Sequence, residues 1–264
     1  MRNRWFIALA AIGLHISIGS VYAWSVLTRP IMADMGFTLS QTTWTFSLAI
    51  LMLGLSAGFL GSFAEKIGPK KSGLLAMLFW VTGLLGTAYA LSIHNLTLLY
   101  LFYGIIGGIG LGIGYITPVS TLVKYFPNRP GFATGLAIMG FGFASLIAGP
   151  LMQYLVAQVG LVDTFIILGV IYLVIMGASS LYLKAPQPKH PTRTTKDRST
   201  MYVHTHGMLA NDAMKTWQFG ALWWVFFINI TCGIGLLSLA SPMAQETIGM
   251  TPTAAASLVG IIGI

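Results

Sequence analysis

Inside the long apolar stretches of this chain only one side chain exchanges a proton near neutral pH, His15, and no Asp, Glu, Lys or Arg accompanies it there. An ionisable group at membrane depth is costly to insert, which makes it a functional candidate by default. A lone imidazole can carry a proton or donate to an anion; donation to a backbone carbonyl is its packing role. On a helix Ala8, Ala11, His15, Gly19, Tyr22 and Ser25 recur at steps of three or four. They form a small, polar stripe that ends in the phenol of Tyr22, with a bulky, lipid-like face opposite. A second stretch crowds Gly104, Gly107, Gly108, Gly110, Gly112 and Gly114 ahead of Tyr115 and Pro118. Close helix packing is the expectation for the glycines. Tyr115, beside a glycine face and before a proline, can aim its hydroxyl into a cavity. Asn229, with Thr231, Gly233, Gly235 and Ser238, supplies the polar and small positions of a third stretch, against a wall of Trp223, Trp224, Phe226 and Phe227. Aromatic rings near helix ends are interfacial anchors in such segments.

The elements that carry these residues are membrane helices. The composition is 56% hydrophobic and only 8% charged, with 31 glycines in 264 residues, far from a water-soluble globule. Apolar runs cover Trp5–Leu27, Thr42–Phe63, Ser72–Leu91, Thr97–Val119, Ala133–Ala157, Thr164–Leu183 and Thr216–Leu239. Each is about 20 residues or longer, enough to cross a bilayer. Hydrophilic hinges with Gly, Pro or Asn separate them, and no ten-residue alternation marks barrel strands. The fold class is therefore an all-α polytopic membrane bundle. It has seven complete spans and an eighth that begins near Thr251–Pro252 and is cut off at Ile264. A bend is expected at the Gly149–Pro150 step of the fifth span. Met1–Arg4 and the run behind it are a retained first span, too long for a secretory signal.

Charge orients the chain. With a cytoplasmic N-terminus the inner segments hold Arg2, Arg4, Lys66, Lys70, Lys71, Lys124, Arg129, Lys184, Lys189, Arg193, Lys196, Arg198 and Lys215, 13 of the 14 basic residues, and Arg29 alone lies outside. That asymmetry follows the positive-inside rule. The expected location is a cell membrane, plasma or inner, crossed many times. The net charge of +8 is thus topological and leaves no basic water-soluble face for nucleic acid. Residues 185–215 read as a flexible cytoplasmic linker between a six-helix bundle at 1–184 and the start of a second at 216–264. The linker's basic excess suits anionic lipid headgroups. His190, His204 and His206 lie there without a further ligand cluster, so no metal site is expected. Cys232 is the only cysteine, which excludes an intrachain disulfide. There is no H-E-x-x-H helix, no Walker lysine loop and no strand-to-helix nucleophile elbow, so neither an enzyme nor a cofactor is expected.

Between the second and third runs, Gly61-Ser-Phe-Ala-Glu-Lys-Ile-Gly-Pro-Lys-Lys71 reads as a compact charged loop. It resembles the signature of the major facilitator superfamily, with Glu65 for the commoner Asp and Pro69 for a usually basic residue. The resemblance implies an inner-face conformational latch made of Gly61, Glu65, Lys66, Gly68, Lys70 and Lys71. An acid beside a helix C-terminus needs a basic or helix-N-terminal partner. Asn3-Arg4-Trp5-Phe6, Tyr22-Ala23-Trp24, Gly112-Ile113-Gly114-Tyr115, Lys124-Tyr125-Phe126-Pro127 with Gly131 and Gly135, and Ala240-Ser241-Pro242 are similar to the oxalate/formate antiporter family, relatives of monocarboxylate transporters.

What this second resemblance implies is movement of a small monocarboxylate of the lactate, pyruvate or formate type, or of oxalate, by alternating access. The partners implied are that anion, membrane lipid, and a coupled proton or counter-anion. The cavity wall would include Tyr22, Thr43, Tyr115 and Phe141, beside the candidates His15 and Asn229. Val21 and Thr43 stand where oxalate exchangers carry amides, and Phe141 where they carry a tyrosine, a less polar wall that favours a monocarboxylate. Gly104 occupies the position of an arginine found in many proton-coupled members. The family's anion-binding cations come from spans eight and eleven, so this chain is expected to stop before them. Carriers of other small solutes, and a membrane sensor or scaffold, are the alternative readings.

Overall fold

The computed structural model describes residues 3–186 and 210–262; His190, His204 and His206 lie outside the described residues. In chain order the elements are α1 (Arg4–Gly19), a 3-10 turn (Ser20–Ala23), α2 (Trp24–Met35), α3 (Leu39–Ile67), α4 (Pro69–Ser92), α5 (Leu96–Leu99), a π-helical stretch (Tyr100–Gly107), α6 (Gly108–Tyr125), α7 (Pro130–Tyr182), α8 (Ala210–Ala213), α9 (Trp217–Thr247) and α10 (Pro252–Ile262). Among the described residues six helical segments are long and apolar enough to cross a membrane: 4–35, 39–67, 69–92, 96–125, 130–182 and 217–247. The all-α bundle expected from the sequence is what forms. The segment 130–182 holds the fifth and sixth of the seven expected runs, two helices, 130–159 and 161–182, that meet at a kink where Gly160 leaves helical geometry (φ 83, ψ 176). The bend expected at Gly149–Pro150 is not the break, since the backbone stays helical there.

Local chemistry sets the helix ends. Asn3 caps α1 by accepting from the Trp5 amide, and Thr38 with Gln41 forms a reciprocal capping box at the start of α3. The charged loop expected at Gly61–Lys71 shrinks to one residue. Helix α3 continues through Ile67, α4 begins at Pro69, and only Gly68 (φ 83, ψ 160) lies outside a helix. That backbone region is closed to residues with a Cβ, and Pro69 is preorganised for the first helical position. Charge makes the segment look like a loop, yet Glu and Lys are good helix formers and continue α3 to its end.

The chain divides into two compact units, Met1–Pro186 with Leu237–Ile264, and Gln187–Leu236. In the first, α1 packs on α6 and α7, α3 on α6, and α4 on α6 and α7, while α10 packs on α7. The burial pattern is that of a protein solvated by lipid. Ser17, Ser20, Thr42, Thr45, Ser72, Thr87, Thr117 and Ser145 are buried, whereas Leu9, Trp44, Phe59, Ile147 and Val174 are exposed. Lipid tails are as apolar as leucine, so helices associate through small residues that let backbones approach. Helix α6 does this on two sides. A Cβ at Gly108 would come 2.8 Å from the Ala49 carbonyl of α3, and one at Gly110 would come 2.6 Å from the Trp80 amide of α4. Val26, Ala240, Ala256 and Val259 form a further apolar cluster that joins α2, the end of α9 and α10.

Helix α1 departs from expectation on one point. The stripe Ala8, Ala11, His15, Gly19 and Ser25 is buried, but so are Ile7, Leu14, Ile18 and Val21 on the side expected to face lipid. The helix is wrapped by its neighbours rather than laid against one of them. In the second unit the first part of α9 exposes Trp217, Trp223, Trp224 and Phe226, and the rings of Trp223 and Phe227 stack 5.1 Å apart.

Candidate functional site

Four of the six cavity candidates meet around one ring. Phe141 of α7, buried at 3% exposure, receives Tyr22 edge-on at 4.8 Å, Tyr115 at 5.5 Å and His15 at 5.9 Å between ring centroids. His15 and Tyr115 stack at 5.5 Å with their planes 24° apart. Edge-to-face packing of this kind holds each ring in one orientation. Tyr22 reaches the cluster from the 3-10 turn Ser20–Ala23, which tightens the helix after α1, and it stays partly exposed, as does Tyr115. Neither phenol hydroxyl has a hydrogen-bond partner among the described residues. Two phenolic donors beside an aromatic floor can donate to a small anion, whose apolar end would rest on Phe141.

His15 is fully buried, with Nδ1 2.6 Å from the Ala137 carbonyl oxygen and Nε2 3.0 Å from the Tyr115 carbonyl oxygen. The imidazole therefore ties α1 to α6 and α7 at once. Gly140 permits this approach, because a Cβ there would lie 3.3 Å from the His15 Cβ. Pro118 removes an amide donor from α6 one turn beyond the Gly114–Tyr115 backbone.

Two candidates are not in the cluster. Thr43 is half-buried in α3 and donates its hydroxyl to the Leu39 carbonyl at 2.8 Å. Asn229 is exposed on α9, in the second unit. Among the described residues no group of three His, Cys, Asp or Glu side chains could hold a metal ion.

The signature residues divide differently from their order in sequence. Glu65 accepts from Lys124 Nζ at 3.0 Å, so its partner comes from the end of α6 and not from neighbouring Lys66, Lys70 or Lys71. Glu65 sits in the last turn of α3, where the helix dipole disfavours an acid, with the N-terminus of α4 just beyond Gly68. Lys66 occupies that same last turn with favourable sign. A cleft of about 50 Å³ opens beside the pair, lined by Gly68, Pro69, Thr117, Ser120, Thr121 and Pro186 among others. Gly61 faces α6 across the Ile116 side chain. Lys124 was within reach of sequence reasoning as the first residue of Lys124-Tyr125-Phe126-Pro127, but nothing local pairs it with Glu65.

A second polar clamp was not anticipated. Arg29 of α2 donates Nη1 to Gln245 Oε1 at 3.0 Å and Nη2 to Glu246 Oε1 at 3.3 Å. Gly54-Leu55-Ser56-Ala57-Gly58 also matches the letters of a hydrolase nucleophile elbow. It lies mid-helix in α3, where Ser56 Oγ donates to the Leu53 carbonyl at 3.2 Å, so no strand-to-helix turn presents it.

A family model described as Major Facilitator Superfamily matches residues 6–264. The chain is 30% identical over its whole length to an uncharacterised MFS-type transporter of Escherichia coli, YhjX, and covers 63% of that protein. It is 25% identical to the oxalate:formate antiporter of Oxalobacter formigenes, over 90% of this chain and 54% of that one. Among solved structures, a bacterial homologue of the human lysosomal transporter Spinster, inward-facing and unoccupied, superposes with a TM-score of 0.70 at 15% identity, over 100% of this chain and 60% of the other. The chain thus spans 54% to 63% of the length of these relatives.

Proposed function

Because the chain belongs to the major facilitator superfamily, a family of multi-pass membrane transporters, we propose that it is part of a secondary carrier or exchanger of a small monocarboxylate of the lactate, pyruvate or formate type, or of oxalate, working by alternating access. Residues 1–184 form its N-terminal six-helix bundle, 185–215 a cytoplasmic linker and 216–264 the start of the second bundle. The N-terminus faces the cytoplasm of a plasma or inner membrane. One observation carries this reading. Three helices converge on Phe141 with two unpaired phenols and a buried imidazole, and no acidic side chain stands among them. A sugar site needs several amides and acids, whereas a small carboxylate needs a few convergent donors and an apolar wall. Likeness to an oxalate:formate antiporter supports the same class. Tyr22, Tyr115, His15 and Phe141 bind the anion, and Glu65 with Lys124 belongs to the inner latch rather than to the anion site. Movement of a proton or a counter-anion balances the charge.

The experiment is uptake by the full-length protein in proteoliposomes, with labelled formate, lactate, pyruvate and oxalate offered in turn against labelled glucose. Saturable movement of a carboxylate, competed by other carboxylates and reduced in Tyr115→Phe, is the expected result. Glucose uptake without carboxylate uptake would assign another solute. Movement of no solute, with binding alone, would return the chain to the sensor class.

A further inference from the structure

A backbone carbonyl oxygen can only accept a hydrogen bond, and His15 presents a ring nitrogen to one on each side, Ala137 at 2.6 Å and Tyr115 at 3.0 Å. A neutral imidazole has a single N–H. One of the two contacts would then set a nitrogen lone pair against a carbonyl oxygen. Only the imidazolium, with an N–H on each nitrogen, turns both contacts into hydrogen bonds. Resting on the transport reading above, we infer that His15 is the protonation site of the carrier, loaded with a proton together with the anion and unloaded with it.

The surroundings decide why the proton should arrive with the anion. On α6 the titratable group facing His15 is Tyr115, whose ring stacks on the imidazole. On α7 none faces it, only Ala137, Gly140 and Phe141. On its own strand of chain Tyr22 reaches the same Phe141 ring. Residues 8–22, 108–121 and 133–148 include no Asp, Glu, Lys or Arg. An imidazolium in this pocket has carbonyl dipoles and aromatic faces but no counter-charge, and an unpaired buried charge is strongly disfavoured. A carboxylate held by the Tyr22 and Tyr115 hydroxyls supplies the missing charge a few ångströms away. Each ligand then makes the other easier to bind, and by linkage the effect is reciprocal. The proton comes from water on the face where the anion enters and returns to water on the face where it leaves. No other group is protonated or consumed.

The test uses the full-length protein in proteoliposomes with labelled formate outside and a pH indicator trapped inside, comparing the parent with His15→Gln. The parent is expected to move about one proton per anion in net uptake and to accumulate formate down a proton gradient. In His15→Gln the proton-to-anion ratio falls at least tenfold, whatever rate of anion movement is left. A parent-like ratio in His15→Gln overturns this inference and leaves the transport reading intact. A parent that moves no carboxylate overturns both. Because glutamine could disturb the packing of three helices, the ring is also read directly. In a background with His94, His190, His204 and His206 replaced by Gln, 15N resonances of His15 should show both nitrogens protonated when formate is bound. A bare nitrogen with formate bound overturns the inference.

Discussion

Gly68 separates two membrane helices by a single residue at φ 83 and ψ 160, and nothing lies within 4 Å of where its Cβ would be. Gly68→Ala therefore adds backbone strain and no clash. That region of backbone space is essentially reserved for glycine, and forcing another residue into it costs about 1–3 kcal/mol. Gly135 is the control. It is exposed, helical and equally open, so Gly135→Ala removes only unfolded-state freedom and stabilises by about 0.5–1 kcal/mol. One substitution type should thus move stability in opposite directions, with a gap of about 1.5–4 kcal/mol between the two variants. The assay is SDS titration of the full-length protein in phospholipid–detergent micelles, followed by helix ellipticity and tryptophan fluorescence. Gly68→Ala should unfold at lower SDS than the parent and Gly135→Ala at equal or higher SDS. A Gly68→Ala midpoint at or above the parent's would refute the one-residue hinge and restore a longer, adaptable loop between α3 and α4.

Three further predictions test the packing, the latch and the site. A Cβ at Gly112 would run into Ser56 Oγ and the Leu53 carbonyl, so Gly112→Val should cost about 1–3 kcal/mol in the same titration through overpacking. The Glu65–Lys124 pair is about half exposed, so Lys124→Glu should cost less than about 1 kcal/mol, the loss should shrink at high salt, and adding Glu65→Lys should restore the parent midpoint. In carboxylate uptake, Tyr22→Phe and Tyr115→Phe should each raise KM roughly tenfold to 150-fold, the range of a lost hydrogen bond to a charged group at about 1.5–3 kcal/mol, while the SDS midpoint stays within about 0.5 kcal/mol of the parent's.

The apolar runs were legible because crossing a bilayer fixes both the length of a helix and its freedom from charge, and no tertiary contact is needed to see either. The glycines of α6 were legible as packing positions for a related reason, since a close helix neighbour leaves few other residues possible. Local irregularity was not legible. The 3-10 turn that carries Tyr22 and the π-helical stretch that holds Tyr103 against Trp24 at 4.3 Å follow from fits to distant helices, and their sequences still read as plain helix. Partnerships across the chain were equally silent. The periodicity of α1 put His15 and Tyr22 on one stripe, but not the carbonyls of residues 115 and 137 on either side of the ring. Glu65 called for a cation by its position at a helix end, and three lysines close in sequence hid the one 59 residues away. Thr43 shows the converse, a position carried over by resemblance whose hydroxyl is occupied by its own helix.

If the chain works by alternating access as proposed, its two exposed clamps differ in what they hold. Arg29 stands in the helix that leads into the first turn of α3, and Glu65 stands in the last turn of α3, so the clamps lie toward opposite ends of one long helix. A surface ion pair contributes about 0–1 kcal/mol, which changes a ratio of two states by at most about fivefold. Glu65 and Lys124 both lie within 1–184, so their pair ties α3 to α6 inside one bundle, whereas Arg29 reaches Gln245 and Glu246 of α9 and would favour closure of its own end. One clamp of that size would leave both orientations of the empty site populated within about one order of magnitude. A stronger lock there would trap one orientation, so the weakness of the Arg29 clamp would keep the return of the empty site fast.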